Sequence, residues 1–172
     1  MDATLAQRLA ALGIDPATLA ARGLVPHAEP AALVVAERNN DGREFELIAP
    51  AAVAWQQLRD AAAADGISLF LVSAFRSIAR QHEIVAAKLA RGQRLEDILR
   101  VSAAPGYSEH HTGRAIDIGT PGSPVLEQVF DTTPAYAWLC AHAARFGYTL
   151  SYPPGNADGY LYEPWHWCWH AC

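Results

Sequence analysis

The chain has 172 residues, 51% of them apolar and 18% charged, with a formal net charge of -5. That length buries a sizeable core in one domain without disulfide staples, and the apolar share is too high for a disordered chain. The acidic balance excludes a sequence-independent grip on nucleic acid, which needs a basic face, and no apolar run approaches the ~20 residues that span a bilayer.

The opening Met1-Asp2-Ala3-Thr4-Leu5 has no basic segment leading into an apolar one, so no secretory signal is read there. The expected compartment is the cytoplasm, or the periplasm if the chain is the mature form of an exported protein. Of three cysteines, Cys140 falls in a helical pattern and is expected to be a buried thiol, while Cys168 and Cys172 are close enough in sequence to bridge.

Leu5, Leu9 and Leu12 recur at helical spacing and stop at Gly13; Asp15 then caps a second helix, with Pro16 at its first position, running to Gly23. Ala31 to Glu37 and Glu44 to Ile48 flank the turn Asn39-Asn40-Asp41-Gly42 and form a hairpin. A helix follows from Pro50 to Ala64, with Val53, Trp55 and Leu58 as its apolar positions. The run Ile67 to Val72 is a buried strand that delivers Ser73-Ala74-Phe75-Arg76-Ser77. Ser77 caps a helix over about 78–90, and Arg94 to Val101 adds another turn or two before Pro105-Gly106. After a turn at Thr112-Gly113, Ala115 to Ile118 is a strand with Ala115 and Asp117 on one face and Ile116 and Ile118 on the other. Thr133-Pro134 opens a helix ending at Gly147, Tyr148 to Tyr152 is a strand, and Tyr160 to Trp169 reads as an aromatic-rich central strand.

Chemistry concentrates in Ser108-Glu109-His110-His111-Thr112-Gly113-Arg114-Ala115-Ile116-Asp117 and in Glu163-Pro164-Trp165-His166. Two imidazoles and one carboxylate hold Zn²⁺ with three protein ligands and leave a fourth position for water, the open geometry of a catalytic site. His110 and His111 compete for the first ligand position, because adjacent residues of an extended chain face opposite ways. Glu163 stands three residues before His166, the natural place for a general base. In a regular strand those two would face apart, so Pro164 is expected to make the approach irregular. Arg76 ends a buried strand with a permanently charged fork suited to a carboxylate or an oxyanion. The hydroxyls of Ser73 and Ser108 can hold polar groups of a substrate, although serine beside a turn commonly caps it.

Taken together these residues resemble the zinc D,D-carboxypeptidase and D,D-dipeptidase family of vancomycin-resistance type, which shares its metal site with lysostaphin-type peptidases and the hedgehog domain. Ser108-x-His110-x-x-Gly113-x-Ala115-x-Asp117 fits the family pattern at each fixed position, and Glu163-Pro164-Trp165-His166 fits its Glu-x-x-His. Ser73-Ala74-Phe75-Arg76-Ser77 with Gln81 resembles the branch's Ser-Gly-Tyr-Arg-Ser segment. A departure follows Trp167, where Cys168 stands in place of the arginine usual in the branch.

The resemblance implies an α+β fold, a small antiparallel sheet carrying the zinc site with helices around it. It implies one zinc ion on His110, Asp117 and His166, Glu163 as base, Arg76 at the oxyanion, and Ser108, Ser73, Gln81 and Trp165 against the substrate. The substrate implied is a peptidoglycan stem peptide or muropeptide, from which the C-terminal D-alanine is removed. An L,D-carboxypeptidase, an endopeptidase on the same stem, and a non-catalytic zinc domain that binds peptide are the alternatives. Residues 45–172 are expected to form the catalytic domain, with residues 1–44 supplying helices and the start of the hairpin packed against it.

Overall fold

The computed structural model describes residues 3–171. The chain forms α1 (Ala3–Ala11), α2 (Pro16–Ala21), β1 (Val34–Arg38), β2 (Glu44–Leu47), α3 (Ala49–Ala64), β3 (Phe70–Ser73), α4 (Ile78–Ala90), α5 (Leu95–Val101), β4 (Ala115–Gly119), α6 (Pro134–His142), β5 (Tyr148–Leu150) and β6 (His166–Trp169). This is the expected α+β arrangement: a four-stranded antiparallel sheet in the order β3-β4-β6-β5, a separate β1-β2 hairpin, and helices around both.

The local signals act where the sequence places them. Asp15 accepts from the Ala17 amide at 2.9 Å and caps α2; Ser77 Oγ accepts from the Arg80 amide at 3.0 Å and caps α4; Thr133 caps α6. Each satisfies an amide that the first helical turn leaves without a partner.

Two cores hold these elements. The larger lies between the sheet and α3 and α6, with Trp55, Leu58, Leu71, Ile116, Ile118, Leu139 and Tyr148 all buried. Its one deep hydroxyl is satisfied, Tyr148 donating to the Ala51 carbonyl at 2.9 Å. The smaller joins Leu5, Leu9, Leu12 and Leu19 of the N-terminal segment to Val85 of α4 and Ile98 of α5. Burying each such side chain stabilises the fold by about 1.5–3 kcal/mol, so the N-terminal helices contribute to holding α4 in place.

The hairpin protects an edge. Strand β3 is outermost, and its Leu71 amide donates to Glu37 Oε1 at 3.0 Å instead of to another strand. Glu37 Oε2 in turn accepts from Trp55 Nε1 at 3.0 Å and from Arg59 at 3.1 Å. A carboxylate that closes the sheet edge removes a template for strand addition.

Four expectations are corrected. Val53 is 58% exposed, because the buried face of α3 is set by Ala51, Ala54, Trp55, Leu58 and Ala62. Cys140 is exposed, since α6 turns Ala135, Trp138 and Leu139 inward instead. Residues 160–165 are irregular and β6 begins only at His166, as the missing amide of Pro164 requires. The segment 109–112 is a turn of 3₁₀ helix, not extended chain, so His110 and His111 are both buried. The Cys168–Cys172 pairing lies outside the described residues.

Candidate metal centre

The site forms where β4 and β6 lie side by side. Their register sets Asp117 opposite His166, and neighbours across an antiparallel pair stand about 5 Å apart. Because side chains alternate, Ile116 and Trp167 enter the core while Asp117 and His166 emerge together on the other face. His110 reaches the same point from the 3₁₀ turn that precedes β4. Gly113 closes that turn at φ +66°, and a Cβ there would stand 2.9 Å from Leu33 Cδ2 and 3.2 Å from the Ile48 amide nitrogen. Glycine is therefore required twice over, by conformation and by space.

One ligand atom each from His110, Asp117 and His166 lies within 4.8 Å of the others, and all three residues are buried. Their hydrogen bonds fix how the rings present themselves. His110 Nδ1 lies 2.7 Å from the Ala74 carbonyl, which can only accept, so Nδ1 carries the proton and Nε2 presents a lone pair. That lone pair faces Asp117 Oδ2 at 3.2 Å. Two acceptors at that distance repel unless a proton or a metal ion lies between them. On the other side His166 Nε2 is held by Glu109 Oε2 at 2.9 Å, leaving Nδ1 to face Asp117 Oδ1 at 3.1 Å. Each ring thus has one nitrogen tied to a protein acceptor and the other turned into the cluster, the orientation that fits a metal ligand.

The electrostatics agree. Burial holds His110 neutral despite Asp117, and burial alone would raise Asp117, yet His110 and His166 keep its carboxyl well below the usual carboxylate range. Burial would also lower His166, but Asp117 and Glu109 overcome it and push the ring up to about 10. A proton therefore occupies His166 where a metal would otherwise bind.

Glu163 Oε2 lies 3.9 Å from His166 Nδ1, at the edge of the cluster. Burial first, then Asp117, raise its carboxyl to about 7, against the lowering by His166 and Arg76. A group poised near neutrality can both take and return a proton. The irregular 160–165 segment is what lets Glu163 and His166 serve one cleft.

Arg76 is anchored through its backbone. Its amide donates to the His110 carbonyl at 3.2 Å, and its own carbonyl takes the His111 Nδ1 proton at 2.6 Å. His111 Nε2 accepts from the Gly106 amide at 3.1 Å, so this buried imidazole is a neutral brace rather than a ligand. Burial lowers the Arg76 pKa, while Asp117 and Glu163 oppose that. Its Nε is buried with no hydrogen-bond partner among the described residues.

A cavity of about 370 Å³ opens over the cluster, lined by Arg76, Gln81, Ser108, Glu163 and Trp165 beside the three candidate ligands. Gln81 Nε2 donates to the Ala103 carbonyl at 2.6 Å, and its buried Oε1 has no partner among the described residues. Ser73 does not line the cavity; it sits opposite Asp117 in the β3–β4 register. Sequence reasoning missed Glu109, whose signal was a carboxylate inside the histidine motif. It also missed Tyr152, which packs on the His166 ring at 4.7 Å between centroids.

Comparison with known proteins places this geometry. Residues 44–172 match the VanY family, D-alanyl-D-alanine carboxypeptidase. A D-alanyl-D-alanine carboxypeptidase of Enterococcus faecalis is 34% identical over 123 residues, which is 65% of this chain and 44% of that protein. The chain therefore spans less than half the length of that relative. The LdcB LD-carboxypeptidase structure superposes with a TM-score of 0.74 at 31% identity, covering 83% of this chain and 70% of that one. A mutant of the vancomycin-resistance D,D-pentapeptidase VanY, in complex with Zn(II), gives a TM-score of 0.64 at 30% identity, over 85% of this chain and 82% of that one. With its family match spanning the sheet, the buried cluster and the cavity above it, the chain belongs to the VanY D-alanyl-D-alanine carboxypeptidase family.

Proposed function

We propose that this protein is a zinc-dependent D,D-carboxypeptidase that removes the C-terminal D-alanine from peptidoglycan stem peptides or their precursors. The observation that carries the reading is the cluster itself, in which His110 Nε2 and Asp117 Oδ2 face each other at 3.2 Å with the His110 proton committed elsewhere. His110, Asp117 and His166 would hold the ion, in a donor set suited to zinc; the VanY relative's complex with Zn(II) supports that choice. When bound, zinc supplies Lewis acidity that polarises the scissile carbonyl and makes water easier to deprotonate.

The remaining work falls to the chain's own side chains. Glu163 takes the proton of the attacking water and passes it to the leaving amine, a transfer that its pKa of about 7 suits. Arg76, standing near Asp117 and Glu163, offers its guanidinium to the developing oxyanion. Gln81 lines the cleft with a buried carbonyl oxygen that has no partner among the described residues, and it accepts a peptide N–H from the substrate. Ser108 and Trp165 line the same cavity and contact the peptide.

The test is mass spectrometry of a muramyl pentapeptide incubated with zinc-loaded protein, with Glu163→Ala as blank. Loss of one C-terminal alanine supports the reading; an unchanged pentapeptide refutes it. The likeness to LdcB favours one second reading, an L,D-carboxypeptidase. A tetrapeptide ending in a single D-alanine, cleaved while the pentapeptide is left intact, would select it.

A further inference from the structure

A carboxypeptidase must recognise a free C-terminal carboxylate, a charge that an internal peptide bond lacks. Among the residues lining the cavity, only Arg76 and Lys88 carry a lasting positive charge. Arg76 stands at the reacting end, with Asp117 and Glu163 as the anions it feels most strongly. Lys88 stands elsewhere. Gln81, Ile84 and Lys88 share one face of α4 at i, i+3 and i+7, and all three line the cavity. That face runs about 10 Å along the helix from Gln81 to Lys88.

The surroundings of Lys88 differ from those of a structural lysine. Its Nζ donates to Ser102 Oγ at 2.6 Å, and it forms no ion pair among the described residues. Three donors are available on an ammonium, so a neutral hydroxyl leaves it with spare hydrogen bonds. Ser102 Oγ accepts from Lys88, which frees its own O–H to donate. Both side chains are only part-exposed, and burial followed by Arg91 and Arg76 presses the Lys88 pKa down. Glu163 opposes that lowering without forming an ion pair, and a part-buried cation with no salt-bridge partner among the described residues favours an incoming anion. Next to Ser102, Ala103 takes the Gln81 amide, so the same strip of chain orients an N–H acceptor and a pair of carboxylate donors.

The geometry points to Lys88, with Ser102, as the group that receives the substrate's C-terminal carboxylate and so restricts this site to exopeptidase cleavage. Lys88 is then a specificity-determining residue. The inference rests on the peptidase reading but makes a separate claim about binding, which can be measured without turnover.

The experiment pairs two peptides ending in D-alanyl-D-alanine, one with a free carboxylate and one with a C-terminal primary amide. Zinc-loaded parent, Lys88→Met and Lys88→Arg are compared by steady-state kinetics, and binding of both peptides is measured by calorimetry in a Glu163→Ala background. We expect the parent to prefer the acid about tenfold or more. Lys88→Met raises KM for the acid by roughly 10–100-fold, the worth of a hydrogen bond to a charged group, with kcat changed little. The acid-to-amide ratio falls towards one, the calorimetric preference falls with it, and Lys88→Arg restores most of both.

A Lys88→Met protein that folds as the parent does and keeps the parent's preference overturns the inference. So does a loss that follows amidation of a side-chain carboxylate in the stem instead of the terminal one. If the parent cleaves neither peptide, yet Lys88 still sets the calorimetric preference for the acid, the peptidase reading fails and the carboxylate site stands.

Discussion

The two walls of the cleft are built in opposite ways. On one side Asp117 and His166 stand on adjacent central strands, and His110 is clamped by a turn whose carbonyl contacts reach into the β3–α4 connection. Each of its two imidazoles has one nitrogen tied to a protein acceptor before any ligand arrives. On the other side Lys88, Ser102, Leu126 and Tyr162 come from helix ends and irregular chain, and Leu126 holds φ 57°, the one non-glycine residue with positive φ among those described. Rigid strands suit atoms that must be placed to fractions of an ångström; loops suit a surface that selects what is admitted.

That contrast sets the order of expected effects. His110→Ala removes a ligand from the rigid wall and should abolish both zinc retention and turnover, with metal content read by atomic emission and activity by alanine release. Retained zinc at one ion per chain would break the ligand assignment. Arg76→Lys keeps charge but not the fork. It should lower kcat by roughly 10²-fold with zinc content intact, since removing one oxyanion donor costs about that much. A rate equal to the parent's would make Arg76 a bystander.

Glu109→Gln sharpens the comparison further, because Glu109 touches His166 and not the cavity. Zinc affinity should weaken about 10–100-fold, as expected when a ligand's orienting partner is lost, and the thermal unfolding temperature of the zinc-loaded protein should fall with it, because the ion binds the folded state. Competition against a chelator measures it, and unchanged affinity would show that His166 is oriented without help.

A separate effect concerns protons. In the metal-free protein the His166 pKa is raised to about 10, so below that pH the ring is protonated and zinc must displace the proton. Zinc affinity should therefore rise with pH across 6 to 9, by up to about tenfold per unit, with about one proton released from this ring for each ion bound. Calorimetry in buffers of different ionisation enthalpy counts that proton; a binding constant independent of pH would contradict the pairing seen with Asp117 and Glu109.

Much of the rigid wall was legible in the sequence because its signals are local. Alternation placed Asp117 opposite the core face, Ser77 and Thr133 announced their helices, and Pro164 announced the break that lets Glu163 and His166 share a cleft. What escaped depends on contacts distant in sequence. Glu109 and His166 are 57 positions apart, and Lys88 and Ser102 meet only because α4 packs beside α5. That only one of His110 and His111 joins the cluster was legible too, but the reason differs: the 3₁₀ turn buries both, and His111 turns to the Arg76 carbonyl and the Gly106 amide. Val53 and Cys140 show the limit of helical periodicity in alanine-rich segments, where small residues can form the buried face and leave larger ones outside.

The most direct measurement is metal content and turnover of Glu163→Ala, determined on one preparation. The account predicts that the variant binds one zinc ion per chain as the parent does while alanine release falls by about 10²–10⁴-fold, the usual worth of a general base. A Glu163→Ala protein that kept its zinc and the parent's full rate would contradict it.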